Sequence, residues 1–117
     1  MKTTKTYNCP FEITLEAIGG KWKSLILWHL FENGTLRNGQ MLRLMPHITQ
    51  KMLTQQLREM EASGLVTRKI YEQVPPKVEY SLTQAALQLE PIMNLMMAWG
   101  MQRAEALGLE AGCTLAG

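Results

Sequence analysis

The chain has 117 residues, 46% hydrophobic and 19% charged, with a formal net charge of +2. Such a chain makes one small folded domain, or one domain and a short arm, and is too apolar for a disordered tail. No run approaches the roughly 20 apolar residues that span a bilayer. Residues 1–8 are polar with no apolar signal segment after them, so a cytoplasmic protein with no membrane partner is expected.

Pro10 opens the first element, because proline suits the first turn of a helix and Glu12 and Glu16 favour its positive end. Phe11, Leu15 and Ile18 recur at i, i+4, i+7 and give one apolar face. Gly19-Gly20 then breaks the chain. A second helix runs from Lys21 to about Phe31. Trp22, Leu25, Ile26, Trp28, Leu30 and Phe31 make it apolar nearly all round, which places it centrally or against another subunit. Asn33-Gly34 stops it, and Thr35-Leu36 is long enough only for a very short strand. A third helix fits Asn38 to Leu44, with Met41, Leu44 and Met45 inward and Pro46 as its stop.

The fourth helix has the clearest pattern. Thr49 sits at an N-cap position, and Leu53, Leu57 and Met60 form one apolar stripe. Gln50, Lys51, Thr54, Gln55 and Arg58 occupy the other face, and Ser63-Gly64 ends the helix. The period then changes. Leu65 to Glu72 reads as a strand, and Val78 to Leu82 alternates with Val78, Tyr80 and Leu82 on one face. Val74-Pro75-Pro76-Lys77 between them is a hairpin tip, since two prolines cannot donate to a ladder. Thr83 caps a last helix holding Leu87, Met93, Leu95, Met96 and Trp99. Pro91 either kinks or divides it, and Gly100 is a possible end. Helix, helix, short strand, helix, helix, hairpin, helix is the order of a winged helix-turn-helix. The expected fold class is therefore α+β, mostly α, with a two-stranded wing. The expected division is a flexible arm over 1–8, the winged-helix domain over 9–107 and a tail over 108–117.

Several spaced motifs point further. They are Cys9-Pro10, Ile18-Gly19-Gly20-Lys21-Trp22, Ile48-Thr49, the run from Leu53 to Glu61, Gly64-Leu65-Val66-Thr67-Arg68, the run from Val74 to Tyr80, and Leu82-Thr83. Together they resemble the HxlR-type winged-helix transcription regulators over roughly Cys9 to Trp99. Three positions depart from that pattern. Asn38 stands where an aromatic residue usually follows Arg37, Ala86 replaces a common glycine, and Gly39-Gln40 occupies a place where glutamate or a similar helix former is usual. The resemblance implies a homodimer on an inverted-repeat operator in double-stranded DNA, more often a repressor than an activator. It also implies that a cysteine at the place of Cys9 can sense oxidants or electrophiles.

Residue chemistry agrees with a DNA-binding reading. Thr49, Gln50, Thr54 and Gln55 can hydrogen-bond base edges, and Lys51 and Arg58 can meet guanine edges or phosphates. From Thr49 to Arg58 there is no acid, whereas an ordinary solvated face mixes signs. At the wing, Lys77, Arg68 and Lys69 are placed for phosphates, although Arg68 has an equally good reading as a partner of Glu79 across the hairpin. Lys23 is expected near a phosphate at the start of the second helix. From Arg37 to Thr83 seven cations face four acids, a mild electrostatic footprint.

Other readings are weaker. Gly20-Lys21 is followed by Trp22, so the segment fails as a phosphate loop. Cys9, at a helix start where partial positive charge gathers, is either a sensor or a small packed residue at a subunit contact. Cys113 is a candidate resolving partner across the dimer. Phe11, Leu15, Met93, Met96 and Trp99 are assigned to a dimer interface built from the first and last helices, because a monomer this small cannot hide them all. A ligand cavity between subunits, and with it a small-molecule effector, stays open. No Cys/His spacing suits a metal, no cofactor is expected, and the chain has no Asp and no catalytic constellation, so an enzyme is not expected. The alternative is a winged-helix protein–protein interaction module.

Overall fold

The computed structural model describes residues 6–112. The elements run α1 (Pro10–Ile18), α2 (Lys21–Asn33), β1 (Thr35–Arg37), α3 (Asn38–Leu44), α4 (Gln50–Ala62), β2 (Val66–Tyr71), β3 (Lys77–Leu82), α5 (Gln84–Leu87) and α6 (Glu90–Leu107). This is a winged helix-turn-helix, and one feature of the expected fold is corrected. The sheet has three strands in the order β1-β3-β2, so the hairpin is not an isolated two-stranded wing. β1 pairs with β3, with Leu36 opposite Tyr80 and Arg37 opposite Glu79. Three residues carry little period-2 signal, but Leu36 is buried between two exposed neighbours and anchors the strand in the core. β3 is the central strand and all six of its residues are half-buried; Val78, Tyr80 and Leu82 share one face, as expected, with Tyr80 and Leu82 packed against the core.

Local chemistry explains the boundaries. A Cβ at Gly19 would collide with the carbonyl oxygen of Leu15, and Gly20 adopts φ 74°, so the turn between α1 and α2 requires both glycines. Gln40 accepts from the backbone N–H of Arg37 at 2.8 Å and so secures the start of α3. Thr49 Oγ1 accepts from Met52 N at 3.0 Å, the expected cap of α4. Thr83 caps a different helix from the long one expected. Its hydroxyl accepts from Ala86 N at the start of the short α5 and donates to Gly64 O at 2.6 Å. Pro91 lies in the first turn of a separate α6, so it divides the two helices. Gly100 does not end α6, which stops at Gly108 in the left-handed conformation, φ 67°. Tyr7 and Asn8 of the expected arm are held to α1, through Tyr7 to Glu16 at 2.7 Å and Asn8 N to Glu12 at 2.9 Å.

The core gathers around α4. Leu53, Leu57 and Met60 are almost fully buried against Ile26, Leu27 and Leu30 of α2 and Met41 of α3. Truncating Leu57 to Ala is expected to cost about 2–5 kcal/mol, since removed methyl groups leave a cavity the close-packed helices only partly collapse. Urea unfolding would show it as a lowered midpoint with little change in slope.

His29 is the buried polar exception, 4% exposed. Burial pushes its pKa below the ordinary imidazole value of 6.5, with Glu32 pulling it back up in part. As pH falls through about 6.5 the unfolded chain therefore takes up a proton that the folded chain refuses. Stability is expected to decline from pH 7.5 to 5.5, by less than about 1.4 kcal/mol per pH unit. In His29→Gln the urea midpoint would be flatter over that range.

Candidate nucleic-acid interface

α4 buries one stripe and presents the other. Lys51, Gln55 and Arg58 are exposed along it, with Gln50 at its start and Thr54 half-buried. Gln50 Nε2 donates to Thr54 Oγ1 at 3.0 Å, one turn on, so two potential base-reading groups steady each other. Gln55 Nε2 donates to Glu59 Oε2 at 3.4 Å. Among the described residues neither Lys51 nor Arg58 makes an ion pair, which leaves both cations available to an external anion.

Lys23 is placed otherwise than expected. Its Nζ lies 3.0 Å from Glu59 Oε1 and ties α2 to the C-terminal part of α4. The hydrogen bonds from Lys23 and then Gln55 hold the Glu59 carboxyl below the usual carboxylate range. A lysine so engaged braces α4 and is turned toward its own chain. Glu59 thus stands one residue beyond the acid-free stretch and is itself neutralised from behind.

The wing is a cluster built by register. Lys69 lies opposite Glu79 and Tyr71 opposite Lys77, so these four share one face of the hairpin. Tyr71 OH donates to Glu79 Oε1 at 2.9 Å, and that hydrogen bond is the main cause of the lowered Glu79 pKa. Lys69 Nζ and Lys77 Nζ sit 4.9 and 4.6 Å from the Tyr71 ring centre. Lys77 also reaches Glu79 at 3.4 Å. Arg68 does not pair with Glu79. It lies opposite Tyr80 on the other face, and its Nε is 3.5 Å from Glu61 of α4. The alternation of the strand sends Arg68 and Lys69 to opposite faces, which decides that question.

Two cations outside the expected set adjoin the wing. Arg37 and Arg43 flank Gly39 and Gln40 in a cleft of about 280 Å³, and a neighbouring cleft joins Arg37 to Pro75, Pro76 and Lys77. Neither arginine has an ion pair among the described residues. In the sequence they register only as net charge. The pairing of β1 with β3 is what brings Arg37 to the wing, and no local spacing announces it.

The residues assigned to a subunit contact divide. Phe11, Leu15, Met96 and Trp99 are exposed, Phe11 and Trp99 to about two-thirds of their surface (65% and 66%). Met93 is buried in the core of its own chain, because its place early in α6 turns it toward α2. It is the one buried residue of that helix. Cys9 is exposed at the N-cap of α1, and its side chain makes no capping bond. Cys113 lies outside the described residues. No group of His, Cys, Asp or Glu among the described residues could hold a metal ion, and none of their helices is long and apolar enough to cross a membrane.

Residues 17–107 match the model of the HxlR-like helix-turn-helix family. The chain belongs to the HxlR-like family. It is 55% identical over 101 residues to the HTH-type transcriptional regulator YkvN of Bacillus subtilis, covering 86% of this chain and 85% of that one. Among solved structures it is similar to the redox regulator HypR. In its reduced form HypR is 50% identical with a TM-score of 0.80, covering 86% of this chain and 98% of HypR. In the oxidised form the identity is 53% and the TM-score 0.76, covering 80% and 96%. The HxlR-like match begins before α2 and reaches the end of α6, so it takes in α4, the hairpin and the long last helix together.

Proposed function

We propose that this HxlR-like chain is a sequence-specific DNA-binding transcriptional regulator and not an enzyme. The observation that carries the reading is the exposed face of α4. Lys51 and Arg58 stand there without ion pairs beside the amides of Gln50 and Gln55, on the second helix of a helix-turn-helix. Gln50, Lys51, Thr54, Gln55 and Arg58 read or grip the major groove, with Thr49 fixing the helix start. Lys77 and Lys69 on the Tyr71 face of the wing, joined by Arg37 and Arg43, supply phosphate contacts that position the protein without reading sequence. Arg68 and Lys23 brace α4 through Glu61 and Glu59.

The functional unit is a homodimer on an inverted repeat, acting in the cytoplasm by repression, with α1 and α6 as the contact. The winged-helix domain over 9–107 keeps the boundaries read from the sequence, with Tyr7 and Asn8 joined to its first helix. Similarity to relatives named as transcriptional regulators and as a redox regulator supports this reading and makes Cys9 the candidate sensor. The exposed Cys9 sulfur is reachable by oxidants, and Cys113 is its candidate partner.

The test is a selection of bound fragments from genomic DNA, using reduced protein at physiological salt and then mildly oxidised protein. An enriched inverted repeat with half-sites about one helical turn or more apart supports the proposal. Binding without a motif, lost as salt rises, would overturn it in favour of a protein-interaction module. Loss of enrichment on oxidation, abolished in Cys9→Ser, supports the sensor role. Cys9 left unmodified by peroxide and iodoacetamide near neutral pH would remove it.

A further inference from the structure

On the exposed face of α4, Gln50 and Gln55 each spend an amide N–H on the side chain one turn ahead. Gln50 Nε2 donates to Thr54 Oγ1 at 3.0 Å, and Gln55 Nε2 donates to Glu59 Oε2 at 3.4 Å. The two bonds differ in what they fix. A hydroxyl both donates and accepts, so Thr54 is served by either end of the Gln50 amide. An ionised carboxylate only accepts, so Glu59 admits only the NH2 end of Gln55. Turned over, that amide would set its carbonyl oxygen against an anionic oxygen with no proton between them. The Gln55 carbonyl oxygen is therefore directed away from Glu59, and it accepts no hydrogen bond among the described residues.

Glu59 can orient its neighbour because it is itself held. Its other oxygen, Oε1, lies 3.0 Å from Lys23 Nζ, a charge-assisted contact reaching across from α2. With one oxygen taken by α2, the other is left to Gln55. The same contacts keep the carboxyl ionised at neutral pH.

Bases differ in what they present in the major groove. Adenine offers the N6 amino group to an acceptor and N7 to a donor. Guanine offers two acceptors, O6 and N7, thymine the acceptor O4, and cytosine the N4 donor alone. An outward carbonyl oxygen with one spare N–H beside it matches adenine. At guanine or thymine the same oxygen meets another acceptor.

We propose that Glu59, pinned by Lys23, is a specificity-determining positioning residue that fixes the Gln55 amide to read adenine. The role rests on the reading of α4 as the helix that enters the major groove, and it names the base required at the Gln55 step. It also accounts for an acid at the edge of a face that must approach phosphates.

The test is selection from a randomised duplex library with full-length reduced protein, as wild type, Gln55→Ala, Glu59→Gln and the double variant. Gln55→Ala identifies the position that Gln55 reads, as the one where base preference disappears. The wild type is expected to prefer adenine over guanine there by at least about fivefold, the lower end of discrimination by a bidentate amide. Glu59→Gln puts in place a neutral amide that both donates and accepts. It should lower that preference to about twofold or less and leave the other positions as they were. In the double variant Glu59→Gln should change nothing further, since the two side chains act as one unit. A merely structural brace would weaken binding at every position alike, and that result would overturn the proposal. So would a base other than adenine at the Gln55 position, an adenine preference kept in Glu59→Gln, or a motif untouched by Gln55→Ala. If Glu59→Gln fails to fold, the wild-type base at that position decides. Selection of no motif by any of the four proteins would remove the DNA-reading role of α4 and this one with it. A motif that ignores Glu59→Gln overturns this role alone.

Discussion

Exchanging both Lys51 and Arg58 for glutamate is expected to weaken operator binding by at least about 100-fold, with the dimer and the fold intact. Base and phosphate contacts on a reading helix are worth about 1–3 kcal/mol each, and reversal adds repulsion from the DNA backbone to the loss of both. The fold should survive because neither side chain has an ion pair to lose and both lie on the exposed face of α4. Electrophoretic mobility shift on the selected operator reads the affinity, and sedimentation reads the dimer. Unchanged affinity would dismiss α4 as the reading helix. A dimer that falls apart would mean the exposed face has a structural duty.

The wing should behave differently. Lys77→Ala is expected to weaken binding on operator and unrelated DNA alike and to lower the slope of log affinity against log salt by about 1. A loss confined to the operator would move Lys77 from backbone gripping to base reading. Lys77 is also held by Glu79 at 3.4 Å, so releasing it to a phosphate exchanges one anion for another, and the net effect will be smaller than at Lys51.

How far the sequence reveals these parts depends on the range of the interactions involved. α4 was legible throughout. Its cap is three residues from its bond partner, its apolar stripe repeats every three or four residues, and its polar face follows by exclusion. α1 and α3 were equally local, with Pro10 and Pro46 marking their limits. The strands were read too, the short one at Thr35-Leu36 included, but their assembly into one sheet was not, because Thr35 pairs with Ser81 across 46 positions and no local spacing announces it. The same long range hid the roles of single residues. Lys23 looked like a free cation at a helix start because Glu59 is a tertiary neighbour, 36 positions away. Arg68 and Lys69 are adjacent in sequence, and only the register sends one toward Glu61 and the other toward Tyr71. The split at Pro91 turned on whether Thr83 caps a long helix or a four-residue one, and its second bond, to Gly64, is again tertiary.

The second large effect concerns the helices that the core leaves almost untouched. α6 has 18 residues and buries one, while Ile92, Leu95, Met96, Trp99 and Met101 stay exposed. α1 buries only Ile18 and exposes Phe11, Ile13 and Leu15. Apolar surface of that extent on two helices is hard to reconcile with a lone monomer and marks an interface. Burying a residue of the size of Phe, Leu or Trp contributes about 1.5–3 kcal/mol, and a carboxylate in its place would be desolvated without a partner. The double variant Phe11→Glu, Trp99→Glu is therefore expected to sediment as a monomer at micromolar concentration, with its circular dichroism unchanged. Its operator affinity should fall by about 100-fold or more, because each half-site must then be bound without the effective concentration that the second one supplies. The surviving binding should have about half the salt dependence of the dimer, since half the phosphate contacts remain. A variant that stays dimeric would place the subunit contact elsewhere and leave the apolar stripes of α1 and α6 to another partner. One that becomes monomeric yet keeps full operator affinity would refute the inverted-repeat geometry while sparing the reading helix, which separates the two halves of the proposal.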